Sequence, residues 1–429
     1  MKRKNRSIRI LFIMLFLTAL LFGCNNEERG NHDPEAQVWE QIPETLVPDR
    51  SITPLPTAAP TAAPAPTEVP GVTTQPTAQP SKTGDKLQEI RDIPSSELVK
   101  EIKIGWNLGN TMDATSGEGI HSELSWGNPF TTKEMIDTVK AAGFNTLRIP
   151  TTWEKHLGPA PDYLIDKAWL DRVQELIDYA AESDMFVILN LHHEEWYQPF
   201  YDNEEKAADM LAKVWKQIAD RFKNYEEHLI FESMNEPRQK GTNFEWNGGN
   251  REGWDVVNRL NAAFVKTIRS SGGNNPLRHL MIPPYAATSS INAWNDFILP
   301  EDDKIIVSIH AYTPYNFALN TSGTSKWSME NASDTGEIDY LMDHINQYFL
   351  SKGIPVIIGE FGAMNKDNTN DRAAWAQYYV SKAAGYGIPC IWWDNGVFTG
   401  SGELFGLLDR RNLIWHSPEV VEALMKGLK

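Results

Sequence analysis

Residues 185–193, Met-Phe-Val-Ile-Leu-Asn-Leu-His-His, stay apolar and β-branched through Leu189 and then turn polar. A short apolar run of this kind reads as a strand buried on both faces, and the abrupt polar end marks where it leaves the core. The runs 102–108, 144–149, 228–234, 278–282, 304–309, 354–359 and 388–393 share the pattern. Between them, 132–142, 167–183, 204–224, 253–271, 337–351, 371–385 and 418–427 carry apolar residues at helical spacing. Strand-like runs alternating with helices argue for parallel βα units, and eight units close a (β/α)8 TIM barrel. The fifth unit, 278–300, has a weak helix. The alternative, a doubly wound open sheet, usually advertises a Gly-rich phosphate turn after its first strand. Gly105-Trp106-Asn107-Leu108-Gly109-Asn110 lacks the third glycine of that turn.

Working outward from the barrel, residues 86–429 hold fourteen of the fifteen tryptophans of the 429-residue chain. The segment before it reads as something other than a second folded domain. Between 51 and 80, eight Pro, seven Thr and six Ala fill 21 of 30 positions. Such a stretch cannot bury enough apolar area to offset its entropy, so 24–85 is expected to be a disordered, Pro/Thr/Ala-rich, semi-rigid spacer. Ahead of it, Lys2, Arg3, Lys4, Arg6 and Arg9 precede a mostly apolar run, 10–22, too short to span a bilayer and of signal-peptide length. The run ends in Leu21-Phe22-Gly23-Cys24, similar to a bacterial lipobox, so 1–23 is expected to be a lipoprotein-type signal and Cys24 the lipid attachment point. Export to the outer face of the cell follows on either processing route.

Composition narrows the function. With 41% hydrophobic and 23% charged residues the bulk is globular, and a net charge of −17 argues against nucleic acid as a partner. Two cysteines, far apart, cannot make a disulfide framework.

If the barrel is right, the active site lies at the C-terminal ends of its strands. Those ends read Asn107, Arg148, His192-His193, Asn235-Glu236, His310 with Tyr312, Glu360, and Trp393-Asp394. Strand alternation puts His310 and Tyr312 on one face and points His192 and His193 in opposite directions, which disfavours a two-histidine metal site. No Gly-x-Ser-x-Gly turn is present, and Cys390 lies in an apolar run where a thiolate is disfavoured. Glu236 and Glu360 remain. Two carboxyl groups facing each other across a barrel mouth suit glycoside hydrolysis, in which an acid protonates the leaving oxygen and a carboxylate meets the oxocarbenium-like centre.

The segments 105–111 (GWNLGNT), 125–129 (SWGNP), 147–150 (LRIP), 189–194 (LNLHHE), 235–237 (NEP), 310–312 (HAY), 359–362 (GEFG) and 392–396 (WWDNG) together resemble glycoside hydrolase family 5. The similarity is greatest to the bacterial endo-β-1,4-glucanases of its subfamily 4. The resemblance spans about residue 90 to the C-terminus, with every motif in order. It implies a (β/α)8 barrel, a retaining mechanism, a β-glucan substrate and no cofactor or metal. By position it implies that Glu236 is the general acid/base, Glu360 the nucleophile and Asn235 the partner of the sugar 2-hydroxyl. Arg148, His192, His310 and Tyr312 match residues that orient and charge-tune the pair, Trp393 matches the stacking platform, and Asn107 and His193 stand beside them.

Physical chemistry sets matching expectations. Arg148 should favour the ionised form of Glu360, and the charge of Glu360 should raise the pKa of Glu236. The carboxyl groups should lie roughly 5–5.5 Å apart. Among the loop aromatics, Trp196 and Tyr197 are the first candidates to line the cleft; Trp126, Trp246 and Trp254 also fall in loops, whereas Trp169, Trp215 and Trp375 read as core. A xyloglucan-, mixed-linkage-glucan-, xylan- or mannan-preferring enzyme is the alternative within the family, and a non-catalytic glycan-binding barrel the alternative outside it. A monomer is the expected acting unit.

Overall fold

The computed structural model describes residues 87–429, so the expectations for the leader, Cys24 and the spacer lie outside the described residues. Eight parallel strands close into a barrel in sequence order: β1 Ile104–Leu108, β2 Thr146–Ile149, β3 Phe186–Asn190, β4 Leu229–Glu232, β5 Leu280–Ile282, β6 Ile305–His310, β7 Val356–Phe361 and β8 Cys390–Asp394, with β8 paired back to β1. A helix follows each strand: α1 Lys133–Ala141, α2 Lys167–Glu182, α3 Tyr201–Phe222, α4 Arg251–Arg269, α5 Ile291–Asn295, α6 Ala332–Tyr348, α7 Thr369–Gly385 and α8 Pro418–Gly427. The weak fifth helix of the sequence is real and is a single short turn.

Local chemistry places the helix starts. Side-chain oxygens of Thr132, Asp166 and Asn250 accept the backbone N–H groups of Met135, Trp169 and Gly253, so three helices begin on N-caps. In α3, Ala207, Met210, Leu211, Val214, Trp215, Ile218 and Phe222 recur at helical spacing and are all buried, which presses one face onto the barrel wall. Trp169, Trp215 and Trp375 are fully buried there, as their helical setting predicts.

Inside the barrel the lower layer is apolar. Phe186, Ile188, Ile230, Met281, Ile306, Ile357 and Ile391 pack together, and Leu98, Val99 and Ile102, which precede β1, join them. Gly105 is required in this layer, since a Cβ there would stand 2.5 Å from Cδ1 of Ile391 and 2.9 Å from the Thr146 carbonyl oxygen. The layer above is polar. Asn107 pairs in register with both Arg148 and Trp393, Asn190 with Glu232, and His310 with Glu360. The β6–β7 register shifts at Ile309/His310 and the β7–β8 register between Ile358 and Phe361, so Glu360 emerges beside a ladder irregularity. Such irregularities re-aim side chains next to active sites.

Candidate active site

Arg148 is the hub of the polar layer and is fully buried. Its Nε donates to Glu232 Oε2 at 2.8 Å, its Nη1 to Glu360 Oε1 at 2.7 Å and Asn107 Oδ1 at 3.0 Å, and its Nη2 to Asn235 Oδ1 at 2.8 Å. His310 Nε2 lies 3.4 Å from Nη2. Four of the five guanidinium N–H groups therefore meet an oxygen acceptor, a fork that only arginine can supply. Burial works against its charge, and the carboxylates of Glu232 and Glu360 outweigh that, holding it protonated. Asn107 is itself held, with Nδ2 donating to the carbonyl oxygens of Gly359, Ile391 and Trp392 at 3.0, 3.2 and 3.3 Å.

Glu360 receives donors on both oxygens, Arg148 on Oε1 and the Tyr312 hydroxyl on Oε2 at 2.8 Å. Tyr312 keeps its phenolic proton, pushed well above the ordinary tyrosine value by burial and then by the charge of Glu360. Glu236 faces a different partner, His310, whose Nδ1 lies 2.8 Å from Glu236 Oε1 and 3.6 Å from Glu360 Oε2. One carboxylate oxygen of Glu236 and one of Glu360 lie within 4.8 Å of each other. Burial pushes the Glu236 carboxyl upward, but the hydrogen bond and charge of His310, followed by Arg238 and His193, bring it below its usual value. His310 is correspondingly raised: burial lowers it, and the charge of Glu360 and the contact with Glu236 outweigh burial. The expectation that Glu360 alone would raise Glu236 is thus corrected. In the free protein the imidazole competes for the proton, so the pair titrates together.

The cellulase family model, glycosyl hydrolase family 5, matches residues 109–399. Endoglucanase B of Neocallimastix patriciarum is 53% identical over 347 residues, spanning 79% of this chain and 73% of that protein. The chain belongs to glycosyl hydrolase family 5. Endoglucanase A of Ruminococcus albus is 48% identical across 82% of this chain and all of its own length. Among solved structures, a GH5-4 broad-specificity endoglucanase from Ruminococcus champanellensis with bound cellotriose superposes with a TM-score of 0.77 at 51% identity, covering 79% of this chain and 100% of that one. This chain is accordingly an enzyme, a glycoside hydrolase of the endoglucanase type.

Around Glu236 and Glu360, the structure brings Asn107, Arg148, Asn235, His310 and Tyr312 into one network. Trp393 packs with Met364, Phe405 and Tyr312, its ring parallel to that of His192 at 5.8 Å. Gly109 gives it room, since a Cβ there would come 3.0 Å from the indole. His192 Nδ1 lies 3.2 Å from Asn190 Nδ2. Burial holds both His192 and His193 well below the ordinary imidazole value, His193 at about 4, so both are neutral at pH 7.

Three sequence readings need correction or completion. His192 and His193 do not diverge: β3 ends at Asn190, alternation lapses beyond it, and both rings reach within 4.8 Å of Asp113. Trp196 and Tyr197 are turned inward, 7% and 3% exposed, with Trp196 Nε1 donating to Glu194 at 2.8 Å and the Tyr197 hydroxyl to the His192 carbonyl at 2.5 Å. The exposed loop tryptophans among the described residues are Trp126, whose ring lies 5.8 Å from that of His193, and Trp246, whose ring carries the Arg238 guanidinium 4.1 Å from its centroid. Sequence reasoning passed over Glu232, Ser308 and Arg238. Glu232 was legible as the one carboxylate inside the mostly apolar strand run 228–234.

Proposed function

We propose that this endoglucanase is a retaining hydrolase of internal β-1,4-glucosidic bonds, with Glu360 as nucleophile and Glu236 as acid/base. The observation that carries the reading is the asymmetry of two close carboxylates. Oxygens within 4.8 Å suit the roughly 5–5.5 Å carboxyl spacing of retaining enzymes and leave no room for the water an inverting enzyme places between them. Both oxygens of Glu360 accept hydrogen bonds, one from a cation and one from a phenol. Glu236 shares a proton with His310, and that proton is the one delivered to the leaving oxygen.

The steps follow from these positions. Glu360 attacks the anomeric carbon while Glu236 protonates the departing glycosidic oxygen. A neutral glycosyl ester forms on Glu360 and Glu236 is left ionised. Glu236 then takes a proton from water, the water attacks the same carbon, and Glu360 leaves as a carboxylate. Because Arg148 fixes Asn235 Oδ1 as an acceptor, the Asn235 amide N–H2 is left to donate to the sugar 2-hydroxyl. Trp393 supplies an apolar face beneath that sugar.

Cellulose-type β-glucan is the substrate this reading favours, supported by endoglucanase relatives and by a cellotriose complex in a similar structure. The leader, Cys24 and the spacer complete the proposal: a lipid-anchored, exported barrel held away from the envelope by a Pro-rich tether and acting as a monomer. Replacing Glu360 with Ala should abolish release of reducing ends from carboxymethyl cellulose while leaving cello-oligosaccharide binding intact; hydrolysis at the native rate would refute the assignment.

A further inference from the structure

We propose that Glu232 is a positioning residue of the reaction, the standing counter-charge of Arg148 that remains when Glu360 gives up its own charge. The inference rests on the assignment of Glu360 as nucleophile.

Glu232 ends β4 four residues before Glu236 and is completely buried. Its Oε2 accepts from Arg148 Nε at 2.8 Å and from Asn190 Nδ2 at 3.1 Å, and its Oε1 accepts from the Ser308 hydroxyl at 2.6 Å. A carboxylate without solvent persists only when paired and hydrogen-bonded, and this one has three donors from β2, β3 and β6. It contacts Arg148 through Nε, whereas Glu360 is held by Nη1.

The charge balance shows what it does. In the free enzyme one cation stands between two carboxylates. When Glu360 attacks, a carbon–oxygen bond forms to the anomeric carbon, the glycosidic bond breaks, and its electron pair leaves with the oxygen that takes the Glu236 proton. Glu360 is then a neutral ester. Without Glu232, Arg148 would become a buried cation that has just lost its direct partner; with Glu232, it stays paired one to one. Among the other charged or titratable groups facing this centre, Glu236 with His310, Tyr312, and Glu403 in the loop after β8 gather around Glu360, while His192, held neutral by burial, touches the Asn190 amide that donates to Glu232. None of these replaces Glu232 at Nε. The same geometry divides the pull of Arg148 between two carboxylates, which tempers its hold on the nucleophile.

The test uses the full chain with 2,4-dinitrophenyl β-cellobioside, whose leaving group needs little protonation and so isolates the Glu360 side. Glu232→Gln keeps the shape and removes the charge. It should lower kcat by about tenfold or more, leave the dissociation constant of cellotriose unchanged, and move the acid limb of the pH–rate profile to lower pH. The limb moves that way because Arg148, no longer shared, holds Glu360 ionised further down. Ser308→Ala, which keeps the charge but removes one of its donors, should show a smaller shift of the opposite sign, because the less compensated Glu232 carboxylate draws Arg148 away from Glu360. Native kcat with an unmoved limb in Glu232→Gln overturns the proposal, as does a fall in kcat matched by lost folded protein with the limb in place. If Glu232→Gln does not fold, an unmoved limb in Ser308→Ala overturns it instead. Glu360→Ala separates the two readings: retained hydrolysis there refutes the nucleophile assignment itself, whereas an inactive Glu360→Ala beside a native-like Glu232→Gln refutes only the role of Glu232.

Discussion

Arg148→Lys keeps the charge at the hub and removes its shape. The guanidinium satisfies Glu232, Glu360, Asn107 and Asn235 at 2.7–3.0 Å from three nitrogens. An ammonium offers three donors from a single nitrogen and cannot span two carboxylates and two amides. At least one charge-assisted hydrogen bond is lost, worth about 1.5–3 kcal/mol, together with one bond to an amide oxygen of about 1 kcal/mol. Taking about 3 kcal/mol as the part expressed in the transition state gives a fall of roughly two powers of ten in kcat/KM, at about 1.4 kcal/mol for each power. The same loss should lower Tm by several degrees. The assay is initial release of dinitrophenolate from the aryl cellobioside, with calorimetric unfolding measured on the same preparation. A variant within about threefold of native kcat/KM would show that the fork is not needed, and the hub argument would fall.

Other predictions follow from individual contacts. Gly105→Ala places a Cβ 2.5 Å from Ile391 and 2.9 Å from a backbone oxygen, so unfolding by denaturant should show a loss of about 1–3 kcal/mol. Thermal stability should peak near pH 6 and fall toward pH 8. Below the peak, His156, His193 and His279, depressed to about 4 by burial, bind fewer protons folded than unfolded, so stability rises with pH through about 4 to 6.5. Above it, Glu194, raised to about 8 by burial, and His310 bind protons more tightly when folded, so stability falls as pH rises through their range. A Tm at pH 8 equal to or above that at pH 6 would contradict the assignment. Cys24→Ser should eliminate incorporation of radiolabelled palmitate in a bacterial host and release the enzyme from membranes; persistent labelling would exclude the lipobox reading.

The barrel was legible because every strand but β5 announces itself twice, by an apolar run and by a polar residue at its C-terminal end. The site residues were legible for the same reason, since strand ends converge in this architecture. What the sequence concealed lies where local pattern stops determining direction. Glu232 sat inside a run read as apolar, and nothing local reveals that its partner, Arg148, stands on another strand. The two histidines after Asn190 were read by a strand rule two and three residues past the end of the strand. Trp196 and Tyr197 occupy a loop in which the same sequence could point to solvent or to the core, and the deciding partners are the buried Glu194 carboxyl group and the His192 carbonyl. The lowered Glu236 likewise depends on His310, a residue 74 positions away in sequence.

The central claim is that Glu236 and Glu360 act as a retaining pair. Proton NMR of the first sugar released from a cello-oligosaccharide, recorded before mutarotation, reports the configuration at the cleaved carbon directly. The account predicts that the β-anomer appears first and the α-anomer grows in only with time; an initial α-anomer would mean direct displacement by water and would contradict it.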